Sequence, residues 1–286
     1  MGTSWHHRLD RLLARDHSGV GKTGRTIVHL HVERRARSVV LLHGLSSSPP
    51  QFERFARDLF ARGHNVLVPR LPHHGHADRL STALARLRPD DLYAAIDDYV
   101  VVARELGERV TVAGFSLGGL LAAWSAQHYD LDRCVAIAPF FGVALIPTGL
   151  MSAVAELTLR VPNRFHWWDP LLRERQMPEH GYPRYATHAI AHAYRISRAL
   201  LRDASKRGPS AARVVLVANA SEAAVNNRAI RRLYARWREQ RPDAVELIAL
   251  TGLPASHDII EPLRGDLAAR AYPQLLAAID PAAETC

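Results

Sequence analysis

Short β-branched runs alternate with amphipathic helical patterns along most of this 286-residue chain. Thr26 to Val32 alternates apolar and polar positions and predicts a strand. Glu33 to Arg37 is a polar turn, and Ser38 to Leu42 follows as an apolar run of the kind buried on both faces. The two runs lie close enough in sequence to pair antiparallel. Phe52, Phe55 and Leu59 fall at helical spacing, Gly63 stops that helix, and Asn65 to Val68 is a strand ended by Pro69. Asp90 and Asp91, after Pro89, open a helix with the apolar stripe Leu92, Ile96, Tyr99, Ala103 and Leu106, closed by Gly107. Val110 to Ala113 is the next strand. Leu117 to Gln127 is a helix of small and apolar residues, and Cys134 to Ala138 is a strand ended by Pro139.

The pattern then breaks. Phe140 to about Gly208 shows no clear strand, several prolines and many aromatic residues. Alternation resumes with a strand at Arg213 to Ala218. A helix marked by Ile230, Leu233, Tyr234 and Trp237, a strand at Val245 to Leu250, and a helix from about Leu267 to Ile279 complete it. Strands alternating with helices predict an α/β fold, a mostly parallel central sheet flanked by helices. The break divides the chain into one core, residues 1–139 and 209–286, and a helical cap inserted at residues 140–208.

Composition changes this picture little. At 48% hydrophobic and 23% charged residues, the chain has the balance of a globular protein able to bury a large core. The net charge of +9 and pI of about 10.1 invite a nucleic-acid or anionic-membrane partner. The basic residues argue against it: all but Lys22 and Lys206 are Arg, scattered near acids as in Arg57-Asp58, with no basic run carrying interleaved aromatics. No nucleic-acid partner is expected. Neither a membrane span of about 18 apolar residues nor an apolar leader within Met1 to Arg15 is visible. The two cysteines, Cys134 in an apolar run and Cys286 at the last position, indicate no disulfide framework, which fits a cytoplasmic, reducing location.

The chemistry concentrates at Gly114-Phe115-Ser116-Leu117-Gly118-Gly119, between a predicted strand and a predicted helix. That is the context a G-x-S-x-G nucleophile turn requires. The turn is so sharp that side chains two residues either side of the serine would collide, and Gly114 and Gly118 remove them. The hydroxyl of Ser116 then sits at a helix N-terminus, where developing negative charge is favoured. Serine alone is a weak nucleophile and needs a base. Of 16 histidines, His257 is the last and follows the last strand, which is where the order Ser, Asp or Glu, then His places the base. The acid should follow the strand at Arg213 to Ala218, and Glu222 is the first carboxylate there. Asp243 and Glu246 come later, before the last strand, and are expected to be solvated; Asp258 adjoins the base and should diverge from it. His43-Gly44-Leu45 directly follows the strand ending at Leu42. The loop in that position and the residue after the nucleophile supply oxyanion amides, assigned here to Leu45 and Leu117. Gly44 lets this loop turn back over the site, and His43, which precedes the serine, is expected to orient it by hydrogen bonds.

These segments, with Pro69 to His76 and Glu222 to Val225, resemble the α/β-hydrolase superfamily, nearest to its bacterial carboxylesterase and monoacylglycerol-lipase-like branch. The likeness covers most of the core in the right order and little of the insertion. It implies a serine hydrolase cleaving carboxylic esters through an acyl-enzyme on Ser116, with no cofactor and no metal, acting on a small-molecule ester with an apolar acyl group. The same site residues also serve aminopeptidases, thioesterases and lyases, and the scaffold also hosts non-catalytic binding proteins. Two positions depart from the pattern. Histidine stands at position 73 where the family's proline-glycine-histidine-glycine loop has its first glycine, which is expected to reshape a loop near the site mouth. Glutamate stands at 222 where aspartate is more usual.

Three other features of the sequence suggest further chemistry or packing. Gly19-Val20-Gly21-Lys22-Thr23 resembles the end of a phosphate-binding loop, but Asp16 occupies the position of its first glycine and a strand, not a helix, follows. His73, His74, His76 and Asp78 have metal-cluster spacing, but Arg79 stands where a further ligand would be. The aromatics Phe140, Phe141, Phe165, Trp167, Trp168, Tyr182 and Tyr185 either pack the insertion onto the core or line an apolar acyl pocket.

Overall fold

The computed structural model describes residues 4–16, 19–262 and 265–281. Seven strands form its main sheet: β1 (Ile27–His29), β2 (Arg35–Leu42), β3 (Asn65–Val68), β4 (Gly107–Phe115), β5 (Arg133–Ile137), β8 (Arg213–Asn219) and β9 (Val245–Leu250). Their order is β1-β3-β2-β4-β5-β8-β9. All neighbours pair parallel except β1, which runs antiparallel to β3. The central strands are buried along nearly their whole length, as their continuous Val, Leu and Ile runs require of a sheet covered on both faces.

Eight α-helices accompany these strands among the described residues: α1 (Ser4–Leu13), α2 (Glu53–Ala61), α3 (Pro89–Leu106), α4 (Leu117–His128), α5 (Thr148–Thr158), α6 (Thr187–Asp203), α7 (Asn227–Gln240) and α8 (Asp266–Ile279). One group, α2 and α8, meets through the Phe55 and Tyr272 rings, with centroids 4.3 Å apart. The other group joins α3, α4, α6 and α7. Within it the buried Trp237 indole of α7 donates to Gln127 of α4 at 2.6 Å. The helices α2, α3, α4, α7 and α8 pack directly on the sheet strands, α6 lies on α3 and α4, and the two groups cover the two faces of the sheet.

The structure differs from the sequence expectations in four places. The strand in Thr26 to Val32 does not pair with its sequence neighbour. It lies on the far side of β3, in the register Ile27 opposite Val68, and forms the sheet edge. The expected polar turn ends early, because Arg35 already pairs with Gly107 at the start of β2. Residues 140–208 contain a small antiparallel ribbon, β6 (Phe165–Trp167) and β7 (Arg184–Ala186), where no strand was read. Each of its strands is three residues long, too short to show alternation. The helix α1 was not expected: its sequence is polar on most sides, and among its described side chains Leu9 and Leu12 are the buried ones.

The stretch between β5 and β8 holds α5, the ribbon and α6. The helix α6 packs on α5 and also on α3 and α4, so the inserted stretch is joined to the helical layer of the core. Except for Val32, the large apolar side chains that remain exposed among the described residues all lie here, from Leu145 to Leu172.

Candidate active site

The strand β4 ends in a turn of unusual backbone. Ser116 has φ 55° and ψ −112°, a region that side chains rarely adopt. The turn is held by hydrogen bonds from Ser116 N–H to Ile137 O and from Phe140 N–H to Ser116 O, both 3.0 Å. Its glycines are sterically required. A Cβ on Gly114 would lie 2.2 Å from Gly118 O, and one on Gly118 would lie 1.9 Å from Leu42 O. The serine caps the N-terminus of α4 and projects at the carboxyl end of the parallel strands, where open α/β sheets place their sites.

Three sequence-predicted residues from three separate loops meet here. His257 Nε2 lies 2.8 Å from Ser116 Oγ, and His257 Nδ1 lies 2.8 Å from Glu222 Oε2. The Glu222 side chain is fully buried, and its other oxygen accepts the Ala224 N–H at 2.7 Å. Burial alone would raise this carboxyl. The hydrogen bond and charge of His257, with the N–H groups of Ala224 and Val225, outweigh it and hold Glu222 below the usual carboxylate range. The Phe115 ring supports the imidazole at 4.9 Å between centroids. Asp243 and Glu246 are exposed, and the Asp258 carboxylate points away from the imidazole to accept from Gln51 Nε2 and the N–H of Glu261.

The loop after β2 is fixed from several sides. Leu71 N–H donates to His43 Nε2 at 3.1 Å, so the proton of this buried imidazole is on Nδ1, which donates to Gly44 O at 2.9 Å. Burial, then the neighbouring His74, push His43 well below its ordinary pKa and keep it neutral. His74 is likewise held neutral by burial, at about 4, with its ring nitrogens 2.8 Å from Leu45 O and from Pro72 O. A neutral imidazole has one N–H, so only one of these carbonyls receives it. Gly44 N–H is taken by Gln51 Oε1 and Ser116 N–H by Ile137 O. Leu45 and Leu117 both line the space beside Ser116.

Two buried amide side chains escaped the sequence reading. Asn219, at the end of β8, donates to Pro254 O and Ser256 O and so ties the loop of Glu222 to the loop of His257. A polar residue closing an otherwise apolar strand is the signal that could have flagged it. Gln51 carries no such local signal.

A cavity of about 770 Å³ opens beside Ser116. Phe140, Trp168 and Tyr185 line it, together with Leu45, Val143, Leu172, Met177 and Ile190. Phe141 is instead buried in the core, and the Tyr182 hydroxyl accepts the His76 N–H at 2.7 Å. The aromatic residues of the insertion thus divide between packing and cavity lining. Gly19 to Thr23 docks on Gly75 and Ala77 and runs into a single 3-10 turn, Lys22–Gly24, followed by strand β1 and not by an α-helix. The loop histidines have separate partners: His73 faces Asp91 at 3.3 Å, and among the described residues no three metal-binding side chains converge.

Residues 39–276 match the alpha/beta hydrolase family, and the chain belongs to that family. Among solved structures it is similar to one from the metagenome-derived lipolytic enzymes LipS and LipT, with TM-score 0.67, 16% identity and coverage of 90% of this chain and 98% of that one. A monoacylglycerol lipase of Paleococcus ferrophilus gives TM-score 0.66, 20% identity and coverage of 88% and 98%. A monoglyceride lipase variant of Saccharomyces cerevisiae, solved with a substrate analog, gives 0.64, 14%, and 88% and 89%. At these identities the likeness is one of fold. No match to the sequence was found among functionally curated proteins.

Proposed function

We propose that the protein is a serine hydrolase that cleaves carboxylic esters with apolar acyl groups through an acyl-enzyme on Ser116. The observation that carries this reading is the unbroken line Ser116 Oγ, His257, Glu222, with both contacts at 2.8 Å, opening on an apolar cavity. His257 Nε2 takes the hydroxyl proton as Oγ attacks the ester carbonyl. Glu222 fixes the tautomer with the proton on Nδ1 and stabilises the imidazolium that forms. The N–H groups of Leu45 and Leu117 hold the oxyanion. The imidazolium returns its proton to the departing alcohol, and water, activated by the same imidazole, frees the acid. The residues of 140–208 act as a cap that supplies the apolar wall. Structural resemblance to the lipolytic enzymes and monoacylglycerol lipases is consistent with this substrate class.

Purified protein incubated with para-nitrophenyl esters from acetate to palmitate tests the reading, with a fluorophosphonate probe in parallel. Turnover that disappears on labelling of Ser116 is expected. Ser116→Ala should lower kcat by roughly 10⁴-fold or more while leaving the melting temperature nearly unchanged. A folded, fully active variant overturns the mechanism. Labelling without ester turnover moves the substrate to amides or thioesters, and a thioesterase domain is among the structural neighbours.

A further inference from the structure

The side chain of Gln51 touches two loops that never meet in sequence. It lies in the short turn Pro49–Phe52 ahead of α2 and is 2% exposed. Its Oε1 accepts the Gly44 N–H at 2.9 Å, and its Nε2 donates to Asp258 Oδ2 at 3.2 Å. Both partners fix the amide's orientation, because an N–H can only donate and a carboxylate can only accept. Gly44 immediately precedes Leu45, and Asp258 immediately follows His257. The far end of the Asp258 carboxylate is itself anchored, accepting the Glu261 N–H at 3.1 Å.

We propose that Gln51 is a positioning residue whose side-chain amide locks the oxyanion loop to the base loop, so that the Leu45 N–H and the His257 imidazole keep a fixed separation around the reacting carbonyl. The inference rests on the roles given above to Leu45 and His257. The bridge has to be neutral, with an acceptor at one end and a donor at the other. Glutamate there would set a second carboxylate against Asp258, whose carboxyl is already pushed up by burial and by the charge of Glu261. Methionine would fill the same space and join nothing. Asparagine would be one methylene too short to span both contacts. Holding the oxyanion donor and the base in one frame favours the transition state over the bound ester, because the ester's own contacts are with the cavity wall.

The bridge is tested in the full chain with Gln51→Met, Asp258→Ala and the double variant. For Gln51→Met on para-nitrophenyl butyrate, kcat is expected to fall about 10- to 100-fold with KM within about threefold of wild type, the signature of lost alignment. The double variant should lose less than the product of the two single losses, since each cuts the same link. Amide hydrogen exchange supplies a readout independent of activity: Gly44 should exchange faster in Gln51→Met. It should also do so in Asp258→Ala, although Asp258 does not touch Gly44. That second variant keeps the test open if Gln51→Met fails to fold. Unchanged kcat, a loss confined to KM, multiplicative losses in the double variant, or unaltered Gly44 exchange would each overturn the proposal. A wild-type chain with neither turnover nor probe labelling sinks the esterase reading instead and leaves the exchange experiment to decide the bridge.

Discussion

At residue 73 the chain departs from a glycine-bearing pattern, and the backbone shows what the departure costs. His73 adopts φ 62°, the left-handed region that glycine enters freely, and its imidazole faces Asp91 from a partly exposed position. The loop thus keeps a glycine-like backbone with a histidine in it. The left-handed conformation costs a branched Cα roughly 1–2 kcal/mol, and glycine returns up to about 1 kcal/mol of that through its freer unfolded chain. His73→Gly is therefore expected to stabilise the protein slightly, by about 0.5–1 kcal/mol, which thermal unfolding would register; a lowered melting temperature would show that the Asp91 contact outweighs the strain. Glu222 is the other departure. Its hydrogen bond to His257 has the length and burial expected of an acid that orients the base. Glu222→Gln keeps the shape, removes the charge and permits the wrong imidazole tautomer. It should lower kcat by roughly 10³–10⁴-fold with little change in KM; a loss under tenfold would assign the orienting role elsewhere.

Elements act here through their ends. The turn from β4 to α4 depends on two glycines whose absent Cβ atoms leave room for the carbonyls of Gly118 and Leu42. The helix α8 ends at Asp280, whose carboxylate is only 13% exposed and meets Arg37 at 2.9 Å, His64 at 3.1 Å and Arg62 at 3.2 Å. Burial would raise this carboxyl, but the His64 and Arg62 contacts and the Arg37 charge bring it down to about 2. An unfolded aspartate titrates near ~3.9. The pairing therefore stabilises the fold fully above about pH 4, and that contribution is lost as pH falls through about 2. Asp280→Asn should lower the melting temperature at pH 7, by about 2–4 °C for each kcal/mol lost, and the gap between variant and wild type should close on acidification toward pH 2. A gap independent of pH would mean that the carboxylate's charge is not what holds the end of α8.

At the scale of the whole molecule, the cavity is lined both by loops that follow the main-sheet strands and by the stretch between β5 and β8. Core loops contribute Ser116 and Leu45, and the insertion contributes Trp168, Met177, Tyr185 and Ile190. Ala193 of α6 also lines it, on a helix that packs against both parts. If acyl chains fill this space, Ala193→Phe should lower kcat/KM for long-chain esters by about tenfold and leave acetate ester turnover nearly intact. An equal loss at every chain length would place the acyl group elsewhere. Among the described residues no helix is long and apolar enough to cross a membrane. Cys134 is buried and its thiol is pushed up by burial, leaving it a packing residue; Cys286 lies outside the described residues.

Local chemistry explains what could be read from the chain alone. Strand and helix periodicity, the glycines of the Ser116 turn, and the chain order of Ser116, Glu222 and His257 each concern one segment or a sequence of segments. They placed all seven main-sheet strands close to where they occur and assembled the residues that meet at the site. Partner choice was a different matter. The first strand crosses to β3 instead of its neighbour, because the edge position is decided by which apolar surface remains to be covered once the parallel strands have stacked. The ribbon of β6 and β7 exists only because its two three-residue strands are brought together by the chain around them. Gln51 and Asp258 stand 207 positions apart, and nothing near either residue announces the other. Contacts of that kind arise when folding closes long loops and strips water from polar groups that must then find partners. The identity of the chemical groups was set by the sequence, and their alignment by the tertiary structure.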